Sequence, residues 1–186
     1  MSKVLIPLAE GFEDIETVAL IDVFRRGGVE VVTASMFPDA KEVESAHGIV
    51  MRAEALFADV VNDDFDAIVL PGGGKGTANL MKSTVLAERL RRQHEEGRLL
   101  CAICAAPTVL VAAGALDPET QITCYPTCRS ELDREWSSAS VVADGTVITG
   151  QAPGSALLFA LVVLQTLLGE EVAHRVATGM VTDVLE

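Results

Sequence analysis

Positive charge is scarce in this 186-residue sequence: 14 Lys and Arg stand against 27 Asp and Glu, for a formal net charge of −13. A surface of that sign repels phosphate backbones and anionic lipids, so nucleic acid and anionic membranes are disfavoured, and neither is expected as a partner. Long hydrophobic runs are missing as well. The longest, Ala156 to Leu164, falls far short of the roughly 20 residues that cross a bilayer. The opening MSKVLIPLAEGFED meets acidic residues too soon for an export signal. The four cysteines are therefore expected to be thiols in a cytoplasmic protein, not structural disulfides. Aromatic residues make up only 4% of the chain. Ala, Val and Leu take their place, as where helices cover a Val/Ile-rich sheet. Histidine is nearly absent too: none of His47, His94 and His174 falls at a predicted strand end, so no Cys–His pair is visible.

What is present alternates between two periods. Lys3 to Leu8, Val29 to Ser35, Ala67 to Leu70 and Arg98 to Ile103 read as β-branched or apolar strands. Between them, Ile15, Val18, Ala19, Ile21 and Val23 recur at helical spacing up to the stop Gly27-Gly28, and Thr84 to Glu96 forms a second helix with Glu88 and Arg92 paired at i,i+4. Gly48 to Arg52 suggests a short hairpin arm, Gln121 to Cys124 a further strand, and Ser140 to Thr149 a hairpin turning at Asp144-Gly145. Helices over Cys104 to Ala113, Pro153 to Leu168 and Glu170 to Thr178 complete the pattern. The expected fold is one domain over residues 1–186, an α/β doubly wound, flavodoxin-like sandwich with a mostly parallel sheet. Ligands in such sheets sit at the carboxyl ends of strands, which directs attention to the residues after Leu8, Leu70 and Ile103.

Two tempting motifs fail there. In Pro71-Gly72-Gly73-Gly74-Lys75-Gly76-Thr77, a P-loop would need glycine where Val69 stands and a hydroxyl where Gly76 stands; the dinucleotide pattern would need glycine at Thr77 or Asn79. What remains is a glycine turn whose amides can face a ligand closely. The cysteines, Cys101-x2-Cys104-x19-Cys124-x3-Cys128, approach a zinc spacing, but Leu and Ala residues bracket the first two where a knuckle wants turn residues. No metal site is identified. A thioredoxin-type pair is poorly served by the intervening Ala102-Ile103, while a disulfide from Cys124 or Cys128 to Cys104 stays open.

One constellation holds. Cys104 stands where a strand turns into a helix, with Pro107 suited to the first helical turn. Unpaired amides and the helix dipole at that point are expected to lower the thiol pKa and yield a thiolate. Ala105 leaves its own amide open to an oxyanion, and the Gly72-Gly73 turn offers a second donor, as in a nucleophile elbow built on sulfur. Cys101 reads as a small apolar residue of the strand. Across the cleft, Glu13 and Asp14 suit a helix first turn, but Glu16 lies beside the apolar face. A carboxyl there is partly buried, shifted toward its protonated form, and placed to move a proton.

The segments AEGFEDIETV, DAIVLPGG, AICAAPTVL and GQAPGSALLFAL together resemble the ThiJ/PfpI superfamily, in its YajL-like branch, over about Lys3 to Val181. The resemblance implies that Cys104 is the elbow cysteine, that Glu16 is the acid contacting it, and that the amides of Gly73 and Ala105 hold anions, with Gly72 and Tyr125 lining the pocket. It implies a cofactor-independent glyoxalase or deglycase acting on a small carbonyl substrate or a glycated protein, and a homodimer formed through the first helix and the hairpin arm near Gly48. A redox-sensing stress chaperone is the alternative; nothing supports the thiamine-biosynthesis label of ThiJ-type sequences. Ala105 stands where the superfamily's protease-type members carry histidine, and Tyr125 and Gln151 stand where its members from human and related sources carry histidine and arginine. Peptidase activity is thus disfavoured, and activation of Cys104 falls to the helix terminus and Glu16.

Overall fold

The computed structural model describes residues 1–183. In chain order its elements are β1 (Lys3–Leu8), α1 (Asp14–Gly27), β2 (Glu30–Ser35), β3 (Glu42–Glu44), β4 (Val50–Arg52), β5 (Ala55–Leu56), α2 (Phe57–Val60), β6 (Ala67–Leu70), α3 (Gly74–Met81) and α4 (Thr84–Glu95). Then follow β7 (Leu99–Ile103), α5 (Pro107–Ala113), β8 (Val141–Asp144), β9 (Val147–Gly150), α6 (Ala156–Leu168) and α7 (Glu170–Gly179). Seven strands form one sheet in the order β5-β2-β1-β6-β7-β9-β8, parallel throughout except for β8 against β9. The chain leaves β1 toward β2 and returns on its other side to β6. The carboxyl ends of β1 and β6 therefore flank the point where winding reverses, where α/β sheets bind ligands.

Strand side chains alternate between two cores, as the period of two demands. Val4, Ile6, Val69, Cys101 and Ile103 join α1 and α6 through Leu20, Phe24, Phe159 and Leu164. Leu5, Ile68, Leu70, Leu100 and Ala102 face α4 and α5 through Leu86, Leu90, Val109 and Leu110. Helix α1 ends where Gly28 takes a left-handed φ of 86° and its amide returns to Phe24 and Arg25 carbonyls. No helix among the described residues is long and apolar enough to cross a membrane.

Several expectations need correction. The turn at Pro71–Gly74 leads at once into α3, which glycine-rich local sequence concealed. Gln121–Cys124 is not a sheet strand; Ile122 makes a single bridge to Trp136. Arg92 pairs with Glu96 and Asp64 instead of Glu88, because its side chain points toward the C-terminal end of α4. Helix α5 starts at Pro107, leaving Cys104 to Ala106 as a turn.

Candidate active site

Strand β7 ends in a strained residue. Cys104 has φ 65°, a left-handed conformation that costs a side-chain-bearing residue about 1–3 kcal/mol. The surrounding backbone enforces it: the Cys104 amide donates to Gly150 O at 2.9 Å, and the Tyr125 amide donates to Cys104 O at 2.7 Å. With both main-chain groups tied, the side chain is thrown out of the sheet toward the end of β6.

There it meets a turn that only glycine can make. A Cβ on Gly72 would lie 2.6 Å from Cys104 Cβ, 2.7 Å from Glu16 Oε2 and 2.8 Å from Ile103 O. Gly73 has φ 92°, and a Cβ on it would sit 2.3 Å from Gly11 O. The turn is thus pressed between the β1–α1 loop and the elbow, with Glu13 N donating to Gly72 O at 3.0 Å.

Helix α1 supplies the acid. Glu13 caps the helix, its Oε2 accepting the Glu16 amide at 2.7 Å, which fixes the first turn. Glu16, fully buried, then reaches across to accept the Gly72 amide on Oε2 at 2.8 Å. Its Oε1 has no nitrogen or oxygen partner among the described residues, and the carboxyl lies against the Cys104 thiol. Burial pushes the Glu16 carboxyl up to about 7; the Gly72 amide opposes this and the charge of Glu13 adds to it. Burial likewise pushes the Cys104 thiol up to about 12, helped by the charge of Glu16, while the amides of Gly73 and Ala105 pull the other way.

That last result corrects the expected low thiol pKa. The amides face the sulfur as anticipated, but the short helix begins only at Pro107, and desolvation beside a carboxylate outweighs its contribution. The two groups behave as one couple. With Glu16 ionised the sulfur keeps its proton, and with Glu16 protonated the charge opposing a thiolate is gone.

The structure brings Cys104, Glu16, Gly72, Gly73 and Ala105 together. Tyr125 joins them through its backbone, its side chain being largely exposed. Cys101 is fully buried in β7, Cys124 is buried with its Sγ 3.4 Å from Tyr125 O, and all four cysteines are free thiols. His94 lies 3.3 Å from Asp117 and His174 3.5 Å from Glu170, both away from the elbow. His47 is different: its Nδ1 is 2.6 Å from Asp14 Oδ2 at the start of α1, a placement the sequence reading missed. Ser45 donates to the other oxygen of Asp14. Burial alone would raise the Asp14 carboxyl, but Ser45 and His47 hold it below its usual value.

Beside this corner lies an uncovered apolar face. Ile15 (61% exposed) and Val18 (51%) of α1 stand next to Ile49 on the β3–β4 hairpin and Leu157 at the start of α6.

Comparison with known proteins agrees with this architecture. The chain is 37% identical to Protein DJ-1 homolog B of Arabidopsis thaliana over 96% of its own length, but spans only 41% of that relative. It is 36% identical to the Caenorhabditis elegans protein named glutathione-independent glyoxalase DJR-1.2, covering 90% of this chain and 89% of that one. Among solved structures, oxidized Toxoplasma gondii DJ-1 superimposes with a TM-score of 0.93 at 33% identity, covering 98% of this chain and all of the other. A family model described as DJ-1/PfpI matches residues 2–166, and the chain belongs to the DJ-1/PfpI family.

Proposed function

We propose that the protein is a cofactor-independent glyoxalase or deglycase that uses Cys104 on methylglyoxal-like dicarbonyls or on their adducts with proteins. The observation that carries this reading is the Cys104–Glu16 couple: a sulfur fixed on a strained elbow, two amides facing it, and a buried carboxyl that titrates to about 7. The name of the C. elegans relative supports the substrate class.

The couple can perform each proton transfer. Glu16 takes the thiol proton as sulfur adds to the aldehyde carbon and passes it to the oxyanion held by the amides of Gly73 and Ala105, giving a neutral hemithioacetal and an ionised Glu16. Glu16 then takes the proton from the carbon bearing sulfur and returns it at the neighbouring carbon through an enediol, leaving a thioester. Water cleaves the thioester, releasing a 2-hydroxy acid and the thiol. One carbon is oxidised and its neighbour reduced, so no external redox partner is consumed. A carboxyl with a pKa near 7 serves as base and acid alike at neutral pH. The protein works as a homodimer through the apolar face of α1 and the hairpin, and its free thiols suit the cytoplasm.

A second reading, redox sensing with chaperone activity, draws on the same amides, which would also hold the oxygens of an oxidised Cys104. One set of proteins decides between them. Wild type should convert methylglyoxal to lactate, with Cys104→Ala inactive and Glu16→Gln reduced by about 10²-fold or more. Equal lactate from wild type and Cys104→Ala would sink the enzyme reading. No turnover, combined with mass spectra showing Cys104 oxidised by mild peroxide ahead of the other thiols, would favour the sensor.

A further inference from the structure

The buried stripe of α4 consists of Leu86, Arg89, Leu90 and Gln93, spaced as one face of an amphipathic helix. Gln93 is uncharged and donates from Nε2 to the carbonyls of Phe65 at 3.0 Å and Leu99 at 3.3 Å. Arg89 is only 3% exposed where the period calls for an apolar residue. Its one side-chain hydrogen bond among the described residues is a long one, from Nη2 to Asp63 O at 3.3 Å. Nε and Nη1 are buried with no partner among those residues.

No carboxylate compensates the charge either. Asp64 and Glu96, the acids whose charge Arg89 feels, are both taken by other arginines. Arg92 reaches Glu96 at 2.8 Å and Asp64 at 3.7 Å, and Arg98 reaches Asp64 at 3.2 Å and Glu96 at 3.4 Å. Three guanidinium groups thus share two acids, and no Asp or Glu pairs with Arg89 among the described residues. Burial, then the charge of Arg92, lowers the Arg89 pKa, with Glu96 opposing. A buried cation in this position is costly until an anion meets it.

Arg89 is also the buried floor of a cleft of about 300 Å³ between α4 and the chain that leaves α2. Val61 and Val85 line it with apolar surface, Asn62 with an amide, and Arg92 with a second guanidinium. The cleft belongs to the helical layer opposite α1, apart from the elbow and from the α1–hairpin face.

We propose that this cleft binds a small monocarboxylate with a short apolar chain, its carboxylate held by Arg89 and Arg92. A guanidinium offers two N–H donors in the plane of a carboxylate, which suits a bidentate pair. Arg89 reaches the anion by turning about its terminal dihedrals, which gives up only the long contact to Asp63 O. The Asp64 contact of Arg92 Nη2 is also long, so that nitrogen can turn inward while Nε stays on Glu96. Val61 and Val85 cover the alkyl chain. A single negative charge is selected over two, because Glu88 at the rim and the net charge of −13 oppose a dianion. The proposal does not depend on the glyoxalase reading.

The test is titration of isotope-labelled full-length protein with isovalerate, read by NMR at the backbone amides of Asn62 and Val85 and at the Arg89 Nε–Hε signal. Isovaleramide and inorganic phosphate are the comparison probes. The expected result is saturable shifts with a Kd in the millimolar range for isovalerate, weaker binding of phosphate and none of the amide. Arg89→Met should weaken isovalerate binding by roughly 10- to 100-fold and Arg92→Gln by roughly 2- to 5-fold, with the exposed Arg175→Gln unchanged. Arg92→Gln alters a half-exposed side chain, so it keeps the comparison valid if Arg89→Met fails to fold. Absence of saturable shifts, equal binding of isovaleramide, tighter binding of phosphate, or an unchanged affinity in Arg89→Met or Arg92→Gln would each overturn the proposal.

Discussion

Gly72 does more for the site than its lack of a side chain suggests. Its amide holds Glu16, its carbonyl receives the Glu13 amide, and its missing Cβ is the space in which Cys104 and Glu16 meet. Gly72→Ala would drive a methyl against a backbone carbonyl at 2.8 Å as well as both reactive side chains, and the carbonyl belongs to β7 and cannot yield. The expected outcome is a loss of about 1–3 kcal/mol in urea denaturation, together with loss of Cys104-dependent turnover. Gly74, where an added Cβ meets nothing within 4 Å, supplies the control: Gly74→Ala should leave both nearly unchanged.

At the scale of elements, α1 docks a carboxyl into the end of the sheet, and that docking makes stability depend on pH. Glu16 titrates at the model-peptide value of 4.5 when unfolded and at about 7 when folded. The folded protein therefore binds the proton more tightly, and stability falls as pH rises from about 4.5 through 7. At about 1.4 kcal/mol per pH unit the loss is about 3 kcal/mol. Glu16→Gln should flatten this part of the profile, as read from urea midpoints at pH 5 and pH 8. The sequence exposed the elements themselves well, because β-branched runs, Pro107 and the Gly27-Gly28 stop are local signals. It concealed α3, whose glycines argue locally for a turn. The raised thiol pKa is hidden for a related reason: the helix terminus is readable from residue order, whereas the depth of burial beside Glu16 is set by distant packing. The approach of His47 to Asp14 spans 33 residues and left no local mark.

For the whole molecule, the uncovered apolar face predicts the state of association. Ile15, Val18, Ile49 and Leu157 expose a contiguous apolar surface on a chain whose net charge of −13 otherwise keeps copies apart. Light scattering should report a dimer for the native chain and a monomer for Val18→Asp, since an unpaired charge in a desolvated interface is costly. A monomer in both would show that the face serves something else.

The Tyr125 amide bound to the Cys104 carbonyl joins two stretches of chain with different duties. The acid, the amides and the sulfur all come from residues before Pro107, whereas the exposed Tyr125 and the turn after it arrive later and contribute main chain alone to the elbow. Their side chains can change without touching an atom that moves a proton. The proposed chemistry thereby rests on one stretch of chain and the exposed rim of the elbow on another, so that the rim can diverge while the proton-moving atoms stay the same.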